Sequence, residues 1–173
     1  INGRQNVTEG TGTISTMSGG TQNIYSGATG TVSTMSGGTQ NIYSGATGTV
    51  STLRYGGIQN VRNGGTGTIS TMSTGLQYIH SGGTGIVSTM SGGLQSLASG
   101  GTGTISSLNG SGYQSIHGGT GTISTMSGGS QGIDSGATGV VSTMSAGLQY
   151  IRSGGTGVVS AMSCLLYTSD AAD

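Results

Sequence analysis

Apolar residues recur along the chain at a fixed interval and form three columns. The first column starts at Ile14 and holds Ile or Val every eighteen residues, with a single step of nineteen. The second starts at Met17 and holds Met or Leu, and the third starts at Val7 and holds Val, Ile or Leu, always two residues after a Gln. The chain therefore consists of nine copies of one unit, and a fixed period of this length is typical of stacked repeat proteins.

Each unit contains two short runs of strand-forming residues that glycines separate, as in "GGTQNIYS" and "GATGTVSTM". Alternation within the first run predicts that Gln22 and Ile24 point inward and that Thr21, Asn23 and Tyr25 point outward. The copies of position 25 vary between Tyr, Arg, His, Ala and Asp, as expected of a solvent-exposed position. The Gln and Ile columns hardly vary between copies, which indicates an interior.

The second run does not place all of its apolar residues on one side of a straight strand. Val32 and Met35 are apolar in every copy but stand three residues apart, so we predict that the strand bends near Ser33–Thr34 and that both side chains point inward. The predicted core residues are Ile14, Met17, Gln22, Ile24, Val32, Met35, Gln40, Ile42, Val50, Gln59, Val61, Ile69, Met72, Gln77, Ile79, Val87, Met90, Gln95, Ile105, Gln114, Ile116, Ile123, Met126, Gln131, Ile133, Val141, Met144, Gln149, Ile151 and Val159.

Three apolar residues and one Gln per unit make a thin core that suffices only if neighbouring units cover it. We therefore predict an all-β fold, a parallel β-solenoid (β-helix) of about nine eighteen-residue coils. The preference for right-handed parallel crossovers favours a right-handed coil. Inward glutamines stacked at about 4.8 Å would bond amide to amide along the axis, and nine coils would form a rod roughly 40 Å long.

The composition alone favours a different interpretation. Gly, Ser and Thr supply more than half of the residues, and Pro, Trp and Phe are absent, as in many disordered segments and linkers. Disorder is therefore the alternative, but a linker has no reason to repeat Ile or Val at one position in nine copies. The periodic columns favour a stacked array.

The last ten residues do not belong to the repeat. The string "CLLYTSDAAD" carries the only Cys and resembles the translation of a sequencing adapter, so we expect residues 164–173 to be a non-native tail. Residues 1–163 are expected to be the repeat solenoid, truncated at both ends because the chain starts within a unit.

Charge and titratable residues argue against several function classes. The formal net charge is zero and no Lys/Arg cluster exists, so no nucleic-acid partner is expected. The apolar runs are too short for membrane insertion of this segment. Glu9 and Asp134 are the only carboxylates outside the tail and lie seven repeats apart, while His80 and His117 lie two coils apart, about 10 Å by strand spacing. We therefore expect no enzyme activity, no bound metal and no cofactor.

The phrase "SGGTQNIYSGATGTVSTMSGG" resembles the AIDA-type repeat of bacterial autotransporter adhesins, with its paired glycine turns and its Gln-x-aliphatic step. The resemblance covers nearly all of residues 1–163. It implies an extracellular passenger segment that a C-terminal barrel brings to the outer membrane, where it serves adhesion, self-aggregation or biofilm formation. It also implies O-heptosylation on Ser and Thr by a heptosyltransferase, and contact with neighbouring repeats or identical passengers. The resemblance does not identify a surface receptor.

A face of Ser and Thr residues accompanies the second run in every unit. A complete Thr column starts at Thr11, and a partial one lies two residues further on, interrupted by Ile86, Val140 and Val158. Three interpretations remain open: a plain solvated β-face, a glycan-acceptor face, and an ice-binding face built on Thr-x-Thr. The candidate residues are Thr11, Thr29, Thr31, Ser33, Thr47, Thr49, Ser51, Thr66, Thr68, Ser70, Thr102, Thr104, Thr120 and Thr122.

A band with apolar and aromatic content is predicted on the outside of the first run. Such bands often mark contacts with another protein, although turn-covering residues can equally pack beneath their neighbours. The band consists of Ile58, Leu76, Leu94, Tyr113 and Leu148, beside Tyr78, Tyr150, Arg62 and Arg152.

Overall fold

The computed structural model describes residues 2–163, and every regular element in that range is a β-strand. The strands are β1 (Arg4–Val7), β2 (Thr11–Met17), β3 (Thr21–Ile24), β4 (Thr29–Met35), β5 (Thr39–Ile42), β6 (Thr47–Leu53), β7 (Gly57–Val61), β8 (Thr66–Met72), β9 (Gly75–Ile79), β10 (Thr84–Met90), β11 (Leu94–Leu97), β12 (Thr102–Leu108), β13 (Tyr113–Ile116), β14 (Thr120–Ile133), β15 (Thr138–Ile151) and β16 (Thr156–Met162). The predicted tail, residues 164–173, lies outside the described residues.

The strands form two parallel stacks, one of short strands and one of long strands. Each strand pairs with its counterpart one unit away, so that β3 pairs with β1 and β5, and β4 pairs with β2 and β6. The 14-residue strands β14 and β15 run through both stacks and join them into one sheet. The predicted all-β parallel solenoid of about nine coils is confirmed.

The register keeps equivalent residues of successive units opposite each other. Gln22 lies opposite Gln40, and Val32 opposite Val50. Where the loop between β12 and β13 gains a residue, the loop between β13 and β14 loses one, and Tyr113 still lies opposite Leu94. The stacking of like residues is therefore maintained despite small changes in unit length.

The long strand bends as its sequence requires. In β4, Val32 and Met35 are buried, while Ser33 is exposed and Thr34 is half-buried. The residue pairing between β4 and β6 skips Ser33. Two consecutive outward residues turn the strand from one side of the coil to the next. The bend lets a seven-residue strand contribute two apolar side chains to the interior at a spacing of three.

The interior contains two apolar clusters. The larger follows the long strands from Ile14 to Met144, and the smaller follows the short strands from Val7 to Ile133 and includes Ala28 and other small corner residues. Three predicted core residues do not follow this pattern in the last coil: Gln149 and Val159 are half-buried and Ile151 is 51% exposed. Within the described residues no further coil covers them, and the core prediction is wrong for Ile151 for that reason.

The inward glutamines form a continuous chain of amide hydrogen bonds. The Gln40 Nε2 donates to the Gln22 Oε1 at 2.7 Å, and the same bond recurs from Gln5 to Gln149 at 2.6–2.8 Å. Most of these amides also donate to a glycine carbonyl of the long strand, as Gln77 does to Gly67 at 3.1 Å. No buried side-chain polar atom in residues 2–163 lacks a partner, so the chain removes the cost of burying the amides.

A glycine column on the long strands allows the two stacks to approach. A Cβ on Gly48 would lie 2.4 Å from the Ile42 Cδ1 and 2.8 Å from the Gln40 Oε1, and the equivalent glycines make the same close approach. A side chain at this inward position would collide with the core. The glycine between the two threonines of "TGT" is therefore a packing requirement that the sequence analysis did not identify.

Candidate functional site

The candidate Ser and Thr residues all lie on the outer side of the long-strand stack. The Ser residue at the bend is exposed in all nine copies, from Ser15 to Ser160. Thr11, Thr47, Thr102 and Thr120 are exposed, and the other threonines of the candidate set are half-buried. Every candidate hydroxyl therefore belongs to one continuous outer face.

The threonines of this face stand in register from coil to coil. Thr11, Thr29, Thr47 and Thr66 occupy matching positions in successive strands, and the column two residues further on begins in the same way. Ile86 interrupts the second column between Thr68 and Thr104. The result is a regular two-column array over the first four long strands and over β12 and β14.

The predicted apolar band occupies the position directly before the inward Gln of the short strands. Ile58, Leu76, Leu94 and Tyr113 are half-buried and lie opposite one another in successive coils. Because each is partly covered by its neighbours, most of the band packs along the rod. Leu148 in the last coil is 53% exposed, which again reflects its position at the edge of the described stack.

The outside of the first short strands carries a second amide ladder that the sequence analysis did not predict. The Asn23 Nδ2 donates to the Asn6 Oδ1 at 2.9 Å, and Asn41 and Asn60 continue the chain at 2.9 Å. Beside it, Tyr25 stacks on Tyr43 with ring centroids 4.9 Å apart, and the Arg62 guanidinium lies 5.1 Å from the Tyr43 centroid. These contacts bridge adjacent coils.

The two outer columns that contain Asn23 and Tyr25 also hold a polar cluster near the other end of the rod. The Ser115 Oγ lies 3.0 Å from the His117 Nε2, and the His117 Nδ1 contacts the Asp134 Oδ2. The Arg152 guanidinium donates to the Asp134 Oδ1. His117, Asp134 and Arg152 occupy the same position in three successive coils. The solenoid therefore brings together residues that are far apart in the chain.

Electrostatics favour an ionised carboxylate in this cluster. The hydrogen bond from His117, together with the Arg152 charge and hydrogen bond, holds the pKa of Asp134 below its ordinary value. Neither the separation of the two carboxylates nor that of the two histidines predicts the His117–Asp134 pair, because its members are of different residue types. The signal was available: both residues occupy the outer column that contains Tyr25, in adjacent copies.

Two surface hollows occur where one residue of an outer column has only a small side chain or none. Gly132 interrupts the column between Ser115 and Tyr150, and a hollow of about 790 Å³ lies there, bounded by Tyr113 and Tyr150. Ala98 interrupts the column between His80 and His117, and leaves a hollow of about 260 Å³. Within residues 2–163, no three His, Cys, Asp or Glu residues are grouped closely enough to bind a metal ion.

No family model, curated protein or solved structure matches the chain. Among residues 2–163, no helix has the length and apolar character that crossing a membrane requires.

Proposed function

We propose that residues 1–163 are an extracellular structural stalk, a segment of a bacterial autotransporter passenger that supports adhesion, self-aggregation or biofilm formation at the cell surface. The observation that supports the proposal is the unbroken stack of coils. Two parallel backbone ladders and a buried amide chain run along the whole rod. Such a stack resists bending and extends with each added coil, which suits a spacer between a cell and its partner.

The outer face suits contact in the extracellular medium. It consists mainly of uncharged hydroxyl side chains, and only Arg4, Glu9, Arg54, Arg62, Asp134 and Arg152 are charged at neutral pH within residues 2–163. Identical passengers on two cells would meet with little electrostatic repulsion. The proposed partners are therefore neighbouring repeats or a second copy of the same stalk.

The exposed Ser column is the proposed site of O-glycosylation. These Ser residues lie at the bend of each long strand and are exposed in all nine copies. A glycosyltransferase needs such access to the hydroxyl that accepts the sugar. Co-expression with a bacterial heptosyltransferase should add sugars in increments of one heptose, read by intact mass. Replacement of Ser51, Ser70 and Ser88 by Ala should remove up to three increments, whereas an unchanged mass distribution would exclude this column as the acceptor.

Surface display tests the stalk proposal. The chain would be presented on non-aggregating bacteria through a neutral outer-membrane carrier, and a chain of identical composition in shuffled order would serve as the control. Cells that display the repeat should settle faster than cells that display the shuffled chain. On cells with long lipopolysaccharide, an epitope at the outer end of the repeat should also bind more antibody than the same epitope on the shuffled chain. Equal settling and equal antibody binding for the two chains would contradict the proposal.

An ice-binding solenoid is the second candidate, and the register of the Thr columns favours it. Threonine pairs repeat at matching positions in β2, β4, β6 and β8, which forms a regular hydroxyl and methyl array. Measurable thermal hysteresis that is lost in Thr49→Tyr and retained in Asn41→Tyr would support it. Absence of hysteresis in the folded chain would exclude it.

A further inference from the structure

Ser115, His117 and Asp134 form a chain of hydrogen bonds on the outer side of the short strands. Ser115 and His117 are two residues apart, so both point to the same side of the coil, and Asp134 follows His117 one coil further along the column. We propose that Ser115 is an activated nucleophile that accepts acyl groups from small activated esters, with His117 as its general base and Asp134 as the residue that positions the imidazole. This activity is independent of the stalk function.

The hydrogen-bond partners determine where the imidazole carries its proton. An ionised Asp134 only accepts hydrogen bonds, so the His117 nitrogen that faces it, Nδ1, must be the donor. In the neutral imidazole the Nε2 is then the acceptor, and it lies 3.0 Å from the Ser115 Oγ. The Arg152 guanidinium occupies the other carboxylate oxygen and favours the ionised form. This is the order of donor and acceptor that serine activation requires.

A hollow lies over Ala98 beside the His117 imidazole, whereas Ser115, which is 8% exposed, does not itself border it. Ser96 lies directly opposite Ser115 in the adjacent strand, and Ala98 lies in the coil next to His117. The volume of about 260 Å³ is slightly below the roughly 300 Å³ at which pockets for drug-sized ligands begin, so only a small group would fit beside the imidazole. The residues around the hollow are Tyr78, Ile79, His80, Ser96, Ala98, Ser99 and His117.

The proposed step balances with water as the only further reactant. The Ser115 Oγ forms a bond to the ester carbonyl carbon while its proton passes to the His117 Nε2. The bond to the leaving oxygen then breaks, and that proton leaves with the alcohol or phenol. Water attacks the acyl-Ser115 carbonyl and gives one proton to the His117 Nε2. The bond between the acyl carbon and the Ser115 Oγ then breaks, His117 returns the proton to that oxygen, and the acid leaves.

The surrounding backbone sets the limit on the substrate class. The N–H of His117 donates to the Leu97 carbonyl at 2.8 Å, and β13 is paired on both sides, so these strand amides are not free to stabilise an oxyanion. Esters of ordinary alcohols need such donors. Aryl esters depend on them less because a phenolate is a good leaving group, and they define the proposed substrate class.

Two reagents test the proposal on the intact chain: p-nitrophenyl acetate, and an aryl fluorophosphonate that transfers its phosphonyl group to activated serines with loss of fluoride. Mass spectrometry would locate the modified residue. General-base assistance should make Ser115 react about 10²-fold faster than Ser96, which has the matching position in the preceding coil but Ala98 in place of a histidine. Ser44→Ala, which removes an exposed serine remote from this cluster, is the control and should leave the rate unchanged.

The variants separate catalysis from a structural role. Ser115→Ala should abolish labelling, and His117→Gln should lower it about 10²-fold while circular dichroism shows a folded chain. The labelling rate should also depend on pH, because the step requires the imidazole to accept the Ser115 proton. Asp134→Asn provides a second test if His117→Gln does not fold, and should also slow labelling. Equal labelling of many serines, or a rate that Asp134→Asn and pH leave unchanged, would overturn the proposal.

Discussion

At the scale of single residues, the buried glutamine shows how this chain makes a core from little apolar material. Each inward amide accepts one hydrogen bond from the next coil and donates one to the coil before, as Gln77 does with Gln95 and Gln59. A buried amide without partners costs about 1–3 kcal/mol. Because every coil supplies the partner of the next, the cost is avoided along the whole rod.

Replacement of a central glutamine should be strongly destabilising. Gln77→Leu leaves the Gln59 Oε1 without its donor and deprives the Gln95 amide of one acceptor. We expect a loss of about 1–3 kcal/mol in the free energy of unfolding, measured by urea denaturation. Gln149→Leu is the matched control: Gln149 is half-buried in the last coil, so water can replace its bonds and the loss should be smaller. An equal effect of both variants would contradict the importance of the buried chain.

The Asp134 cluster predicts a dependence of stability on pH. The folded-state pKa of Asp134 is lowered, chiefly by the His117 hydrogen bond, so its contribution to stability is complete above the unfolded value of about 4 and is lost as the pH falls through the lowered value. Melting temperatures measured between pH 7 and 2 should therefore fall less steeply for Asp134→Asn than for wild type. Identical profiles for wild type and Asp134→Asn would contradict the assignment.

At the scale of the strand, alternation was sufficient to predict which side chains point inward. The bend near Ser33–Thr34 followed from the three-residue spacing of Val32 and Met35, and the structure has it. The packing requirement at the glycine of "TGT" could not be identified in this way, because alternation gives the direction of a position but not its distance from the facing stack. Nor did the pattern of one coil predict that Ile151 is exposed, since burial in a solenoid depends on the neighbouring coil.

The glycine column gives a prediction at this scale. Gly85→Ala would place a Cβ 2.2 Å from the Ile79 Cδ1 and 2.8 Å from the Gln77 Oε1, inside the stack. Overpacking of this kind costs about 1–3 kcal/mol, measured as a loss in the free energy of unfolding. Gly157→Ala faces the exposed Ile151, which can move aside, so its effect should be clearly smaller. A Gly85→Ala variant as stable as wild type would show that the two stacks are less closely packed than these distances indicate.

At the scale of the whole molecule, stability depends on contacts between neighbouring coils. Each coil contacts chiefly the coil before and the coil after it, and the first and last described strands pair on one side only. Repeat proteins of this type gain stability as the number of coils grows and lose it first at the ends. The composition, which alone favoured disorder, is therefore compatible with order because the units match.

The exposed end coil predicts association between rods. Ile151, Val159 and Met162 present incompletely covered apolar side chains beside unpaired strand edges, within the part of the chain that the structure describes. The purified chain should therefore form end-to-end species whose sedimentation coefficient rises with concentration. Val159→Lys should reduce the association without unfolding the central coils. A wild-type chain that stays monomeric at high concentration would contradict the prediction.

Hydrogen–deuterium exchange of the backbone amides, resolved along the chain by mass spectrometry, tests the central claim that stacked matching coils form one continuous rod. Peptides from β6 to β12 should be protected to a similar degree, and protection should decrease towards the first and last described coils. Complete exchange within seconds throughout residues 2–163, as in a flexible Gly/Ser linker, would contradict the rod and with it the stalk that we propose.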